Sequence, residues 1–266
     1  MAEVPVETAS DMDLADASPM RLTVVGCGDA FGSGGRSHTC FRLDAGGRCL
    51  VVDFGAAAIV AWTRMGFSTN EIDALVVSHL HGDHFGGLPF LLLDCQFRAR
   101  RTKPLVIAGP PGLRARLDMA CEAFFPGMTG NRWTFPLTVQ EMEPGQGADL
   151  AGFAVETRAV RHPSGAPATG VRASAGGRTF AYSGDTTWTE ALVALADGAD
   201  LFVCECYSGE APVPNHIDWP NLRERLPSLR ARVVMTTHLG VSALARQDDM
   251  REAGVRVAED GLVVAV

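Results

Sequence analysis

The chain has 266 residues, of which 47% are hydrophobic, enough to bury the core of one α/β or all-β domain. A formal charge of −8 is a poor footprint for a polyanion, whose binding depends on neutralising phosphates. No apolar stretch approaches the roughly 20 residues that span a bilayer, and seven cysteines with no Cys-x-x-Cys pair suggest free thiols in a reducing cytoplasm.

Residues 1–20 carry Glu3, Glu7, Asp11, Asp13 and Asp16 and have neither a basic start nor a hydrophobic stretch. They are expected to be a disordered acidic leader rather than a signal peptide, with 21–266 forming one domain. Short apolar runs predict strands over 22–26, 39–44, 48–53, 74–77, 105–108, 153–160, 169–174, 178–183, 201–205, 232–237, 255–258 and 262–266. Helical spacing predicts 56–66, 86–97, 112–125, 188–196, 219–226 and 241–252. That alternation is of the α/β type and by itself leaves several topologies open.

After the first strand comes a glycine-rich stretch with Gly26, Gly28, Gly32, Gly34 and Gly35. It reads equally as a flexible loop and as a substrate mouth, where backbone amides approach an anion with Arg36 and His38 beside them. Its spacing is not a dinucleotide-binding fingerprint.

The densest chemistry follows the strand 74–77. After Ser78, His79-Leu80-His81-Gly82-Asp83-His84 packs three imidazoles and a carboxylate into six residues. In extended backbone His79 and His81 face the same way, and Gly82 permits the turn that Asp83 and His84 need. Nitrogen and carboxylate donors suit zinc, and iron or manganese would accept them too. The run Arg98-Ala99-Arg100-Arg101-Thr102-Lys103 reads as a solvated helix end. Trp133 and Phe135 could line a pocket, though strand aromatics are more often core. Cys204 and Cys206 read as small core residues.

Taken in order, several segments resemble the metallo-β-lactamase superfamily and, within it, the ribonuclease Z-like branch. They are the opening Leu22–Phe31, Val51-Val52-Asp53-Phe54-Gly55, the histidine run, Ile107–Gly112, His162, Ala181–Thr186 and Thr236-Thr237-His238. The resemblance implies an αββα sandwich of two mixed sheets with metals at one edge. His79, His81 and His162 would hold one divalent ion, Asp83, His84 and His238 another, and Asp185 would bridge them. Zinc is the first expectation, with manganese or iron as alternatives. A hydroxide between the ions would be the nucleophile, since zinc lowers the pKa of water from about 15.7 to near 7.

Asp83, His216 and Glu205 are the candidate catalytic residues. The resemblance casts His216 as proton donor to the leaving oxygen and Glu205 as the group that orients it; the competing role for His216 is a helix cap, which Asp218 could equally supply. Thr186 could donate to a phosphate oxygen or cap the next helix. His162 and Asp185 stand 23 residues apart, too close for the arm with which short ribonuclease Z enzymes grip transfer RNA. The expectation is therefore a phosphodiesterase acting on a small phosphodiester or nucleotide, not on structured RNA and not at a membrane, and able to form a homodimer. An ester or lactone hydrolase is the alternative, a β-lactamase or transfer-RNA endonuclease fits less well, and a metal-binding interaction module is the non-enzymatic reading.

Overall fold

The computed structural model describes residues 20–266. The acidic leader expected over 1–20 lies outside the described residues except for Met20, which is fully buried. One sheet holds β1 (Arg21–Gly26), β2 (Cys40–Ala45), β3 (Arg48–Val52), β4 (Ala74–Val76), β5 (Leu105–Gly109), β6 (Leu137–Glu141) and, at its edge, β14 (Val263–Ala265). Their order is β14-β1-β2-β3-β4-β5-β6. The other holds β7 (Gly147–Leu150), β8 (Phe153–Ala159), β9 (Thr169–Ala175), β10 (Arg178–Tyr182), β11 (Leu201–Glu205), β12 (Val233–Thr237) and β13 (Arg256–Val257), in the order β13-β12-β11-β10-β9-β8-β7. Each sheet is mixed: β3 through β6 and β10 through β13 run parallel, and the remaining pairs are antiparallel.

The period-two alternation of strands explains the layering. In β3, Leu50 and Val52 enter the core between the sheets, where they join Phe41, Phe180 and Tyr182. Cys49 and Val51 face the opposite way, into a second core with Trp62, Leu91 and Leu117. That outer layer belongs to α1 (Ala58–Arg64), α2 (Gly82–Phe85), α3 (Leu88–Leu93) and α4 (Leu113–Phe124). On the far side, Phe202 and Cys204 of β11 pack under α5 (Ala191–Ala196), α6 (Trp219–Arg225), α7 (Val241–Leu244) and α8 (Gln247–Glu252). Strands with both faces covered need apolar residues on both, at about 1.5–3 kcal/mol for each large side chain buried. The αββα sandwich is thus in place.

Several boundaries differ from expectation. Strands β6 and β7 were not predicted, because LTVQE and GADL are polar and half-exposed edge sequences. The helix expected over 86–97 is α3 followed by one π-helical turn at Asp94–Arg98. The helix over 241–252 is two short ones, α7 and α8, broken at Ala245-Arg246.

The basic run is a solvated helix end only in part: Arg98 and Arg100 are exposed at the end of the π-helical turn, but Arg101 is not. Arg101 is fully buried and donates to the carbonyls of Thr69, Ile72, Lys103 and Pro104. Arg98 pairs with Asp94, and Lys103 with Asp73 at 3.1 Å. Phe135 is core and Trp133 packs on it at 5.7 Å between centroids. All seven cysteines are free and buried, and among the described residues no helix is long and apolar enough to cross a membrane.

Candidate metal centre

Strand ends from both sheets deliver the site. Asp53 follows β3 and His79 follows β4; His162, Asp185 and His238 follow β8, β10 and β12, and Glu205 is the last residue of β11. Open α/β sheets place ligands outside the carboxyl ends of their strands because side chains emerging there converge from rigid supports. Two backbone links lock the sheets together at this edge. Thr169 of β9 donates its amide and hydroxyl to the Ser78 carbonyl at 3.0 and 2.8 Å. The His238 amide donates to the Cys27 carbonyl at 3.0 Å.

The structure brings the seven predicted ligands together in two groups, with Asp185 Oδ2 within 3.9 Å of donors from both. His79, His81 and His162 form one; their rings lie 4.8–5.0 Å apart, and His162 Nε2 is 3.0 Å from His81 Nδ1. Asp83, His84, Asp185 and His238 form the other. Asp185 Oδ2 is central, 3.3 Å from Nε2 of both His84 and His238, 3.7 Å from that of His79 and 3.9 Å from that of His162. Asp83 Oδ2 lies 3.2 Å from His238 Nε2 and 3.3 Å from His84 Nε2. Gly82 supplies no special turn: it lies outside the left-handed region and begins α2, so Asp83 and His84 project from a helical turn.

These donors fit a divalent metal. His79 Nε2, His84 Nε2 and Asp185 Oδ1 are buried without a hydrogen-bond partner, a cost that a cation removes. Burial holds His79 and His162 below the ordinary imidazole range, which keeps them neutral as ligands must be. Asp185 is held well below the carboxylate range despite its burial, by the charges of His238 and His84. His238, conversely, is lifted to about 9 against its burial by Asp185 and Asp83, which measures the negative field a cation would meet.

Hydrogen bonds behind the rings fix their tautomers. His84 Nδ1 donates to Asp53 Oδ2 at 2.8 Å, and the Ser78 amide and hydroxyl donate to Asp53 at 2.6 and 2.7 Å. Burial pushes the Asp53 carboxyl up, against the pull of His84 and Ser78. His79 Nδ1 meets Ser78 Oγ at 3.1 Å, and His162 Nδ1 meets the Asn215 carbonyl at 3.0 Å. Asp53, Asn215 and His238 have φ of 59°, 67° and 58°, so three of the five non-glycine residues in the left-handed region among the described residues serve this site.

His216 stands at the rim with Nδ1 3.0 Å from Glu205 Oε1, its ring 5.0 Å from that of His162 and 5.4 Å from that of His238. Burial opposes its charge, but the Glu205 hydrogen bond and carboxylate more than offset this, and its pKa is raised. Glu205 is fully buried and also accepts from the Thr186 and Ile217 amides. The cap of α6 is Asp218, whose Oδ1 accepts from the Asn221 amide at 3.0 Å, so His216 is not needed there.

The three residues expected at the substrate mouth lie elsewhere. Arg36 donates to Gln247 at 3.2 Å, and His38 Nδ1 accepts from the Ala57 amide at 3.2 Å. Thr186 is fully buried, its hydroxyl committed to the Thr187 carbonyl and the Arg161 amide, and α5 starts too far on for it to cap. Gly26 and Gly28 make room for the backbone rather than a ligand, since a Cβ there would lie 2.0 Å from the His38 carbonyl and 2.8 Å from the Arg36 carbonyl. Ala30, Phe31 and Tyr207 instead complete the wall of the cavity lined by the candidate metal donors, about 350 Å³ in volume. Sequence reasoning gave these three, and Asp53, no role. Only Asp53 carried a signal: a carboxylate ending an apolar strand beside the ligand run.

The family profile described as "Anti-Pycsar protein Apyc1" matches residues 20–259. The chain belongs to that family. A ribonuclease Z from Mycobacterium sp. strain KMS is 26% identical to this Apyc1-family chain over 249 residues, 90% of this chain and 82% of that protein. The short form of human tRNase Z, ELAC1, superposes with a TM-score of 0.75 at 23% identity, covering 92% of this chain and 99% of that one. YhfI of Bacillus subtilis, a metallo-β-lactamase fold protein, gives 0.74 at 21% identity over 93% and 100%. The fold is therefore the metallo-β-lactamase fold, and fold and donor set together are those of a metal-dependent hydrolase.

Proposed function

We propose that the protein is a phosphodiesterase that cleaves a small phosphodiester, such as a nucleotide, with two divalent ions, zinc foremost. The observation that carries this reading is that one cavity is lined by five of the seven donors, His81, Asp83, His162, Asp185 and His238, and by His216, which Glu205 holds from behind. Ions held by His79, His81 and His162 and by Asp83, His84 and His238, with Asp185 shared, would supply Lewis acidity and an activated water. The chain itself supplies the rest. Glu205 holds His216 by Nδ1, which leaves Nε2 to hand a proton to the departing oxygen. Asp53 and Ser78 keep the His84 and His79 rings from rotating.

The cavity is at the small end of ligand pockets, which run from about 300 to 1,000 Å³. Two solved structures of the same fold support a phosphate-ester substrate: a diphosphatase of the PhnP family (TM-score 0.74, 19% identity) and yeast PDE1 (0.67, 14%). A small substrate also fits the interval between His162 and Asp185, which holds a short loop and the hairpin β9–β10 and no larger insertion.

The test is metal analysis followed by a panel of a p-nitrophenyl phosphodiester, a lactone, a chromogenic β-lactam and a precursor transfer RNA. Two ions per chain and preference for the phosphodiester are expected. Faster turnover of the lactone, or efficient transfer-RNA cleavage at physiological salt, would replace this function with another.

A further inference from the structure

Phe31 is 81% exposed, more than any other large hydrophobic residue among those described, and it lines the cavity that holds the metal donors. Leaving a phenyl ring in water forgoes its burial free energy, and a mobile loop could tuck it away. This loop is not free to do so. The fully buried Asp29 carboxylate accepts from the Phe31 amide at 3.2 Å, the Ser33 amide at 2.8 Å and the Ser33 hydroxyl at 2.7 Å. Beyond it, Gly34 abuts Leu244, and Arg36 is tied to Gln247. Tyr207, the other aromatic of the wall, is already engaged, 4.9 Å from the His216 ring. The backbone that carries Phe31 is thus fixed beside the cavity, and its ring has no ring partner among the described residues.

We infer that Phe31 is a stacking platform for a planar ring carried by the substrate, which makes it a specificity-determining residue for a nucleobase. The inference builds on the phosphodiesterase reading, and an exposed ring offers any base a π-face without reading its edge. It therefore favours nucleotides over sugar phosphates without choosing strongly among bases.

The test is calorimetric binding of AMP, CMP and ribose 5-phosphate to the metal-loaded protein, wild type, Phe31→Ala and Phe31→Trp. The wild type should bind both nucleotides more tightly than ribose 5-phosphate. Phe31→Ala should weaken AMP and CMP about ten-fold and leave ribose 5-phosphate within about two-fold, while Phe31→Trp restores nucleotide affinity. Melting temperatures should match, since the ring packs on little. Equal loss for all three ligands, no loss, or no preference for nucleotides in the wild type overturns the inference. So does a change in self-association alone on Phe31→Ala, which would assign the ring to a second copy of the chain. Phe31-dependent binding without any phosphodiester turnover would instead leave the platform standing and remove the proposed function.

Discussion

The two donor groups meet at Asp185 but are built differently. Asp83, His84 and His238 are buried, and a buried carboxylate, Asp53, stands behind His84. In the other group His79 is fully buried and the His162 side chain is 3% exposed, so His81 lies nearest to solvent, and the bonds behind this group come from a hydroxyl and a backbone carbonyl. A carboxylate behind an imidazole makes it more basic and holds its ring more firmly than a neutral acceptor does. The inner group should therefore bind its ion more tightly, and the rim group should exchange its ion and face the substrate.

Asp185→Ala tests what the groups have in common. It should lower the content of both ions and bring activity to the level of a protein-free control; retention of two ions by elemental analysis would deny Asp185 its bridging place. His216→Ala comes next, because this residue lies within reach of both groups without being assigned to either. For a poor leaving group kcat/KM should fall on the order of 10²–10⁴-fold, with little change for p-nitrophenolate and wild-type metal content. Glu205→Gln should give a partial version of the same defect, and equal losses for both leaving groups would leave His216 with only a positional role.

The asymmetry itself is sharpened by Asp53→Asn, which should weaken one ion by about 10–100-fold and leave the other unchanged. Weakening of both to the same extent would mean that the carboxylate behind His84 does not distinguish them. The smallest effect is on order of release. Under graded chelation the wild type should pass through a one-ion form whose remaining ion is held by Asp83, His84 and His238, as metal-edge absorption on the intermediate would report. Simultaneous loss of both would erase the contrast.

This contrast was only half legible in the sequence. The run His79 to His84 stands out because its donors are local, and Asp185 and His238 stand out because each ends an apolar strand. What separates the two groups is what stands behind each ring, which depends on how distant segments of the chain pack together. Asp53 sits 31 residues before the ring it orients, and Asn215 53 residues after His162. Phe31 and Tyr207 come from a loop and a strand exit that carry no pattern. Arg36, His38 and Thr186 were placed at the mouth because they neighbour ligands or glycines in the chain, and in space none of them lines the cavity that holds the donors. The sandwich was readable from alternation in the buried strands, while the polar edge strands β6 and β7 had no such signal.

Because His79 to His84 leave one sheet and His162, Asp185 and His238 leave the other, an ion bound among them also fastens the two halves of the molecule. A ligand present at 1,000 times its dissociation constant adds about 4 kcal/mol to the folded state. Scarcity of metal would then shorten the lifetime of the polypeptide as well as stop its chemistry. A chain that opens along this seam exposes the apolar interior to proteases, so cellular abundance would follow metal supply.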